Sequence, residues 1–470
     1  SELKALRAHP AFDGGIDRGA LALFMRYCYV PEPYSIYRTI RKLPPGTILT
    51  LTASGPREPQ PEPYWRLRDV AERGVHHPFD GSYEEAVDRL DEILADAVRL
   101  RMIADVPLGA FLSGGIDSST VVALMQKQSS RPVKTFTIGF TEQDYNEAVY
   151  AKDVARHLGT EHTEQYVTPA EAREVIPKLP TMYDEPFGDS SQIPTFLVSA
   201  LARKHVTVSL SGDGGDELFC GYNRYFDAFH YASLHKVMPR RLRRWGGSVL
   251  SSMAGGAPAG LVRTVPRGGA RVLSDDGPEA RYIRCLGHWH DEPFLVPNAV
   301  RPPNLIESPH AWPGFRPQQR WMYLDALTYL PDDILTKVDR ASMFVALEAR
   351  VPILDHRVVE FAWSLPLKFK MSGQKGKRIL RSLLARYVPS RLFERPKAGF
   401  GVPIDHWLRG PLRDWAEDLL SERRLRQEGY LDPAAVRRKW AEHQSGHVNW
   451  HFALWNVLVF QSWREQTSAR

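Results

Sequence analysis

The sequence predicts an α/β fold: a doubly wound parallel sheet in mid-chain, with helical additions at its C-terminal side and a short strand-bearing piece in front. Three observations predict it. From Ser82 to about residue 230, short apolar runs alternate with segments of helical periodicity. Two of those runs end abruptly in glycine-rich loops that carry acids, FLSGGIDSST (Phe111–Thr120) and LSGDGGDELF (Leu210–Phe219). Beyond the second loop the pattern turns mostly helical, interrupted by Gly/Pro-rich stretches at 255–272 and 300–319.

The front piece, residues 1–65, contains YSIYRTIRKLPPGTILTLTASG, which reads as short strands around Pro-Pro-Gly and Ser-Gly turns. It is too short to bury a core alone. The polar stretch that follows, 66–81, reads as a linker. At Ser82 the rhythm changes. Ser82 and Glu85 form a capping box, and Ala86, Leu90, Ile93, Leu94, Ala97 and Leu100 recur at helical spacing. VPLGAFL then fits a buried strand and SSTVVALMQKQ a helix. VKTFTIGF is a second strand, NEAVYAKDVARHLG a helix ending at Gly159, and EHTEQYV a third strand. SSQIPTFLVSALARKH is a helix and VTVSL a fourth strand. Such alternation implies a parallel sheet covered on both faces.

Bulk properties exclude several classes. The chain has 470 residues, 43% hydrophobic and 25% charged, as a multidomain globular protein does. No apolar run approaches the roughly 20 residues of a membrane span. The N-terminus, SELKALRAHP, has no signal-peptide apolar core. Three scattered cysteines suit a reducing, cytoplasmic setting. A net charge of +6 on so long a chain is no nucleic-acid footprint. Its densest basic spot, PRRLRRW (Pro239–Trp245), reads as a solvated helix face. His443, His447 and His451 are spaced as ligands on a helix could be, but Gly446 interrupts them, and no metal site is assigned there. Trp440, Trp450, Trp455 and Trp463 read as packing of a terminal helix.

The first loop leaves a strand and opens a helix, so its unpaired N–H groups make an anion cradle, helped by hydroxyls of Ser113, Ser118 and Ser119. It lacks the lysine of a GK[ST] loop. Asp117 beside a phosphate would repel it unless a divalent cation intervened, and Mg²⁺ prefers carboxylate-plus-phosphate coordination. The second loop carries Asp213, Asp216 and Glu217 from the end of another apolar strand. In open parallel sheets, ligands collect outside the strands' carboxyl ends, where these loops would converge.

SGGIDSS resembles the pyrophosphate loop of the PP-loop ATPases, shared by GMP synthetases, argininosuccinate synthetases and tRNA-modifying enzymes. LSGDGGDELFCGYNRY, LTKVDRASMFVALEARVPILD (Leu335–Asp355) and RPKAGFGVP (Arg395–Pro403) resemble, more narrowly, the synthetase domain of glutamine-hydrolysing asparagine synthetases. SELKALRAHP, YVPEPYSIYRTIRKLPPG and PYW resemble the tail of that family's class II glutaminase domain. The resemblance divides the chain into a glutaminase remnant (1–65), the linker (66–81), an ATP-pyrophosphatase domain (82–410) and a helical extension (411–470).

That resemblance implies an AMP-forming ligase using ATP and Mg²⁺, with aspartate or another carboxylate as acid and ammonia as nucleophile. Leu112, Ser113, Gly114, Gly115, Asp117, Ser118, Ser119, Ile138, Ser211 and Gly212 would bind ATP. Asp117 and Asp216 would hold the metal. Lys397 would neutralise charge on the α-phosphate. Asp213, where the family often has Glu, would assist adenylation or deprotonate the amine, with a turn role as the alternative. Arg340, Glu348 and Arg350 would be ion-paired helix residues on the substrate side or a structural network. The family's glutaminase nucleophile is an N-terminal Cys. Here Ser1 precedes a helical stretch and is rejected as nucleophile, and Cys28 reads as core packing. Ammonia would then come from a missing glutaminase portion, from a separate subunit or from solution. A homodimer is compatible with this reading. A sugar-acid or peptide substrate on the same scaffold, or a tRNA-modifying PP-loop enzyme, are the competing readings.

Overall fold

The computed structural model describes residues 2–53, 59–141, 146–227, 241–242, 245–246, 277–308, 315–395 and 401–468. Ser1, Lys397, the 255–272 loop and most of Pro239–Trp245 lie outside these described residues.

The front piece holds a helix, Leu3–Arg7, and a minimal antiparallel pair, β1 (Thr47–Ile48) with β2 (Glu62–Pro63). The central sheet has β3 (Leu108–Phe111), β4 (Lys134–Phe140), β5 (Glu161–Val167), β6 (Val208–Leu210) and β7 (Glu348–Arg350) in the order β5-β4-β3-β6-β7, every pair parallel. The chain moves outward from β3 to β4 and β5, then returns to lay β6 on the other side of β3. That reversal makes the β3–β6 gap the switch point of the sheet, where strand-end loops diverge and leave a crevice. Both glycine loops leave from it.

The helices between strands form for the reasons their sequences suggest. Ser82 caps Tyr83–Arg101 through the reciprocal Ser82–Glu85 box. Gly159 ends Ala148–Leu158 in the left-handed conformation, φ 70°, which suits glycine. β4 and β6 are buried almost throughout and β3 at its two middle residues, as strands covered on both faces are.

Two elements differ from the sequence expectation. The stretch taken as a linker forms a helix, Leu67–His76. Its Leu67, Val70, Ala71 and Gly74 are buried, and it packs on the helix His356–Ser364. A β-carbon on Gly74 would lie 2.7 Å from the Trp363 carbonyl and 2.9 Å from the Ser364 nitrogen, so at this point the contact is backbone against backbone. The i, i+3, i+4, i+7 spacing of these four residues was obscured by the polar residues between them. Second, Glu348 and Arg350, expected on a helix, form β7 at the sheet edge; Arg340 alone of the three is helical, in Thr336–Met343. The terminal helix His451–Ser468 buries Trp455 and Trp463 as expected, and it also reaches the front piece: the Trp463 and Tyr37 ring centroids are 5.9 Å apart, and Asn456 donates to the Met25 carbonyl at 3.2 Å. Cys28 sits in the same place, its thiol accepting from Asn456.

Candidate active site

At the switch point the two glycine loops press together. Gly212 lies so near the start of the helix Ile116–Gln128 that a β-carbon on it would be 2.6 Å from the Ser118 nitrogen and 2.8 Å from the Asp117 carbonyl carbon. Glycine is what permits the approach. Gly114, at φ 72°, makes the other close contact, against the Tyr150–Ala151 backbone. The first loop is braced internally: the Ser113 amide donates to Ser118 Oγ at 3.2 Å, the two hydroxyls lie 3.0 Å apart, and the Gly115 amide donates to Ser113 Oγ at 3.2 Å.

Above the loops opens a cleft of about 1410 Å³. Its wall includes Leu112, Ser113, Gly115, Asp117, Ser118, Ile138, Ser211, Gly212, Asp213 and Asp216. Of the residues expected to bind ATP, two stand elsewhere. Gly114 shapes the loop from behind. Ser119 is fully buried on the inner side of its helix, and its hydroxyl has no hydrogen-bond partner among the described residues. Helical geometry turns consecutive positions by about 100°, so Ser118 and Ser119 do not share a face.

Asp117 and Asp216, 99 positions apart in the chain, converge on a single ammonium. Lys377 Nζ is 2.8 Å from Asp216 Oδ1 and also donates to Asp117 Oδ2. Burial works against the lysine's charge, but the two carboxylates more than offset it and raise its pKa above lysine's usual value. Lys377 went unnoticed in the sequence. It sits at φ 55° just ahead of the helix Arg378–Leu384, its amide donating to the Phe219 carbonyl at 2.9 Å. Gly376 packs against the Cys220 carbonyl. The signal was present in GQKGKRILR, a lysine at a helix start in a chain whose first glycine loop has none.

Since one ammonium touches both carboxylates, both reach a common point. Two hard, anionic oxygen donors from separate loops fit a Mg²⁺ ion that keeps its remaining positions for phosphate and water. Asp213 is also in the cleft. Burial pushes its carboxyl up; the Ser211 hydroxyl, donating at 2.5 Å, and the nearby Lys337 and Lys377 oppose that rise. Burial and Asp216 push Glu217 to about 7, while it accepts from the Tyr222 hydroxyl at 2.7 Å.

A second cation was missed. Arg395 donates to the Ser113 carbonyl at 3.1 Å, approaches Glu147 at 3.4 Å and covers the Tyr150 ring at 4.1 Å. It ties the first glycine loop to the segment leading into Lys397. Arg350, by contrast, has structural partners: it donates to the carbonyls of Arg101 and Ile103 at 2.9 and 2.8 Å and pairs with Glu348 at 2.7 Å. Arg340 pairs with Glu2 at 3.2 Å. The three histidines are engaged separately. His443 is buried and accepts from Trp450, His447 lies against Ser445, and His451 against Asn449.

Comparison with known proteins matches residues 89–465 to the asparagine synthase family and residues 1–65 to the glutamine amidotransferase domain. Asparagine synthetase [glutamine-hydrolyzing] 1 of Bacillus subtilis is 30% identical over 461 residues, covering 95% of this chain and 68% of that protein. A putative asparagine synthetase [glutamine-hydrolyzing] of Mycobacterium tuberculosis H37Rv is 35% identical, covering 96% and 68%. Amidase chry2 of Gibberella zeae is 25% identical, covering 86% and 64%. Among the described residues no helix is long and apolar enough to cross a membrane.

Proposed function

The chain belongs to the asparagine synthase family, and we propose that it makes an amide from a carboxylate, ammonia and ATP, with aspartate as the acid and asparagine as the product. One observation carries the reading: Asp117 and Asp216, from the ends of adjacent parallel strands, meet at one cationic point beside a phosphate-sized glycine cradle.

The chemistry follows from where these groups stand. ATP enters with its base between Leu112 and Ile138 and its β,γ-phosphates on the Ser113–Ser118 loop. A substrate carboxylate oxygen attacks the α-phosphorus, the bond from that phosphorus to the bridging oxygen breaks, and pyrophosphate leaves. Ammonia then adds to the carbonyl of the acyl-adenylate; AMP leaves and the excess proton is lost. Asp117 and Asp216 would hold Mg²⁺, which supplies a Lewis acid and a charge clamp on the departing pyrophosphate. Lys377 adds a fixed positive charge at the same place, and Lys397 neutralises charge that builds on the α-phosphate. Asp213, carrying a carboxyl whose pKa burial has raised, takes the proton from the incoming amine. Ammonia derived from glutamine requires a complete glutaminase portion, of which residues 1–65 match a part.

A second reading, amidation of a different carboxylate on the same machinery, is favoured by the relatives named amidase. Pyrophosphate release from ATP, with ammonium and a panel of acids, tests both. Aspartate-dependent release supports the first. Silence with aspartate and turnover with another acid moves the assignment to the second. Silence with every acid contradicts both.

A further inference from the structure

A chain of contacts runs through the cleft wall and closes on the first glycine loop. Arg395 donates to the Ser113 carbonyl at 3.1 Å. Its neighbour Glu394 pairs with Arg381 at 2.7 Å. Arg381 Nε donates to the Gly376 carbonyl at 2.9 Å. Lys377, next in sequence, then reaches Asp117, the acid of the loop on which Ser113 stands. Every residue of this ring belongs to the cleft wall.

Arg395 is its most enclosed arginine, with a side chain 15% exposed. The guanidinium also approaches Glu147, just ahead of the helix Ala148–Leu158, and covers the ring of Tyr150 on that helix. Gly114 packs against the backbone of the same Tyr150. Arg395 therefore sits at the joint between loop and helix and holds both.

What it holds has little stiffness of its own. Gly114, at φ 72°, and Gly115 follow Ser113, and a residue without a β-carbon changes between left- and right-handed conformations at small cost. The Ser113–Gly114 peptide is planar, so turning it over exchanges a carbonyl oxygen for an N–H on each side. Beside an anion the two orientations are not equivalent: an N–H attracts phosphate and a carbonyl oxygen repels it. The bond from Arg395 to the Ser113 carbonyl selects one of them. A planar guanidinium has the fixed fork of donors to make that bond while pairing with Glu147 and lying on Tyr150; an ammonium does not. The partly exposed ion pairs of the ring add little to stability. Their effect is on where the groups stand.

We propose that Arg395, braced by Glu394, is a positioning residue that sets the first glycine loop and the Lys377 turn in the shape that receives the pyrophosphate part of ATP. This rests on the ligase reading above. Arg395 acts through Ser113 and, by way of Glu394 and Arg381, through Lys377.

The test is calorimetric titration of the whole chain, with Mg²⁺ present, by inorganic pyrophosphate and separately by AMP. AMP lacks the β- and γ-phosphates and is the control. Arg395→Met is expected to weaken pyrophosphate at least about 10-fold, as a displacement of about 1 Å in a preorganised site can, with AMP within about 2-fold of the unaltered chain. Arg395→Lys, which keeps the charge and loses the fork, should stay as weak. Glu394→Gln should weaken pyrophosphate with the same selectivity. The double variant should lose no more than Arg395→Met alone, since both changes break one ring. Four results overturn the proposal: pyrophosphate and AMP weakened alike, pyrophosphate unaffected, full recovery in Arg395→Lys, or losses that add in the double variant. The Glu394 side chain is 34% exposed, so its variant carries the test if Arg395→Met does not fold. An unaltered chain that binds neither pyrophosphate nor AMP would instead strike the ligase reading, and this one with it.

Discussion

Gly212 and Ser118 are in backbone contact: a β-carbon on Gly212 would lie 2.6 Å from the Ser118 nitrogen. That contact makes two strand-end loops into one site, because it sets the distance between the turn carrying Asp213 and Asp216 and the helix start carrying Asp117. Gly212→Ala should therefore separate the loops. The expected cost is about 1–3 kcal/mol in stability, as for other overpacked positions, together with weaker ATP binding. Urea unfolding and nucleotide titration measure the two effects separately.

Lys377→Met removes the positive charge between Asp117 and Asp216 and leaves two partly buried carboxylates facing each other. Breaking such a pair costs about 3–5 kcal/mol where it is fully buried. Here Asp117 and Asp216 retain 18% and 19% side-chain exposure, so a smaller loss is expected. Millimolar Mg²⁺ should restore part of it, since the ion takes over the same charge balance. A melting temperature that ignores Mg²⁺ in the variant would contradict this.

On the proposed metal role of Asp117, Asp117→Asn should reduce pyrophosphate release by at least about 100-fold at ordinary Mg²⁺, because a charge clamp would be lost from the leaving-group side. Activity surviving the change would remove the metal role from Asp117.

Lys397→Ala should lower kcat and kcat/KM together while leaving the KM for ATP little changed, the signature of an interaction made in the transition state. A loss confined to affinity would assign Lys397 to ground-state binding.

Stability should depend on pH in opposite senses at two carboxyls. Burial works against the Asp189 carboxylate, but Lys337 and Ser191 hold its pKa down to about 2, so its contribution is present above about pH 3.8 and is lost as pH falls through 2. Burial and Asp216 raise Glu217 to about 7, so its contribution is present below its unfolded value near 4.5 and is lost as pH rises through 7. Glu217→Gln should flatten the decline between pH 4.5 and 7 without altering the acid limb. Chemical unfolding across pH 2 to 8 reads both; an unchanged decline in the variant would remove Glu217 as its source.

The sheet and its loops were legible in the sequence because local pattern decides them. Buried parallel strands read as apolar runs, and glycine with an acid at the end of a run marks a loop that must admit a ligand. Lys377 was not legible on those terms. Its place follows from tertiary contacts, the Gly376 approach to Cys220 and the bond to the Phe219 carbonyl, and no period in the sequence reports them. β7 was missed because Glu348–Arg350 is three residues long and two are charged, and an edge position tolerates both features. Lys337 and Asp189 were passed over for a related reason: each looks like an ordinary surface residue until the helix Thr336–Met343 packs on the helix Gln192–Arg203 and the two side chains pair.

The most direct measurement is an anomalous-scattering map from crystals of the chain grown with Mn²⁺ and a non-hydrolysable ATP analogue. The account predicts a manganese peak ligated by both the Asp117 and Asp216 carboxylates and by the analogue's phosphates. Manganese bound to the nucleotide with both carboxylates turned away from it would contradict the account.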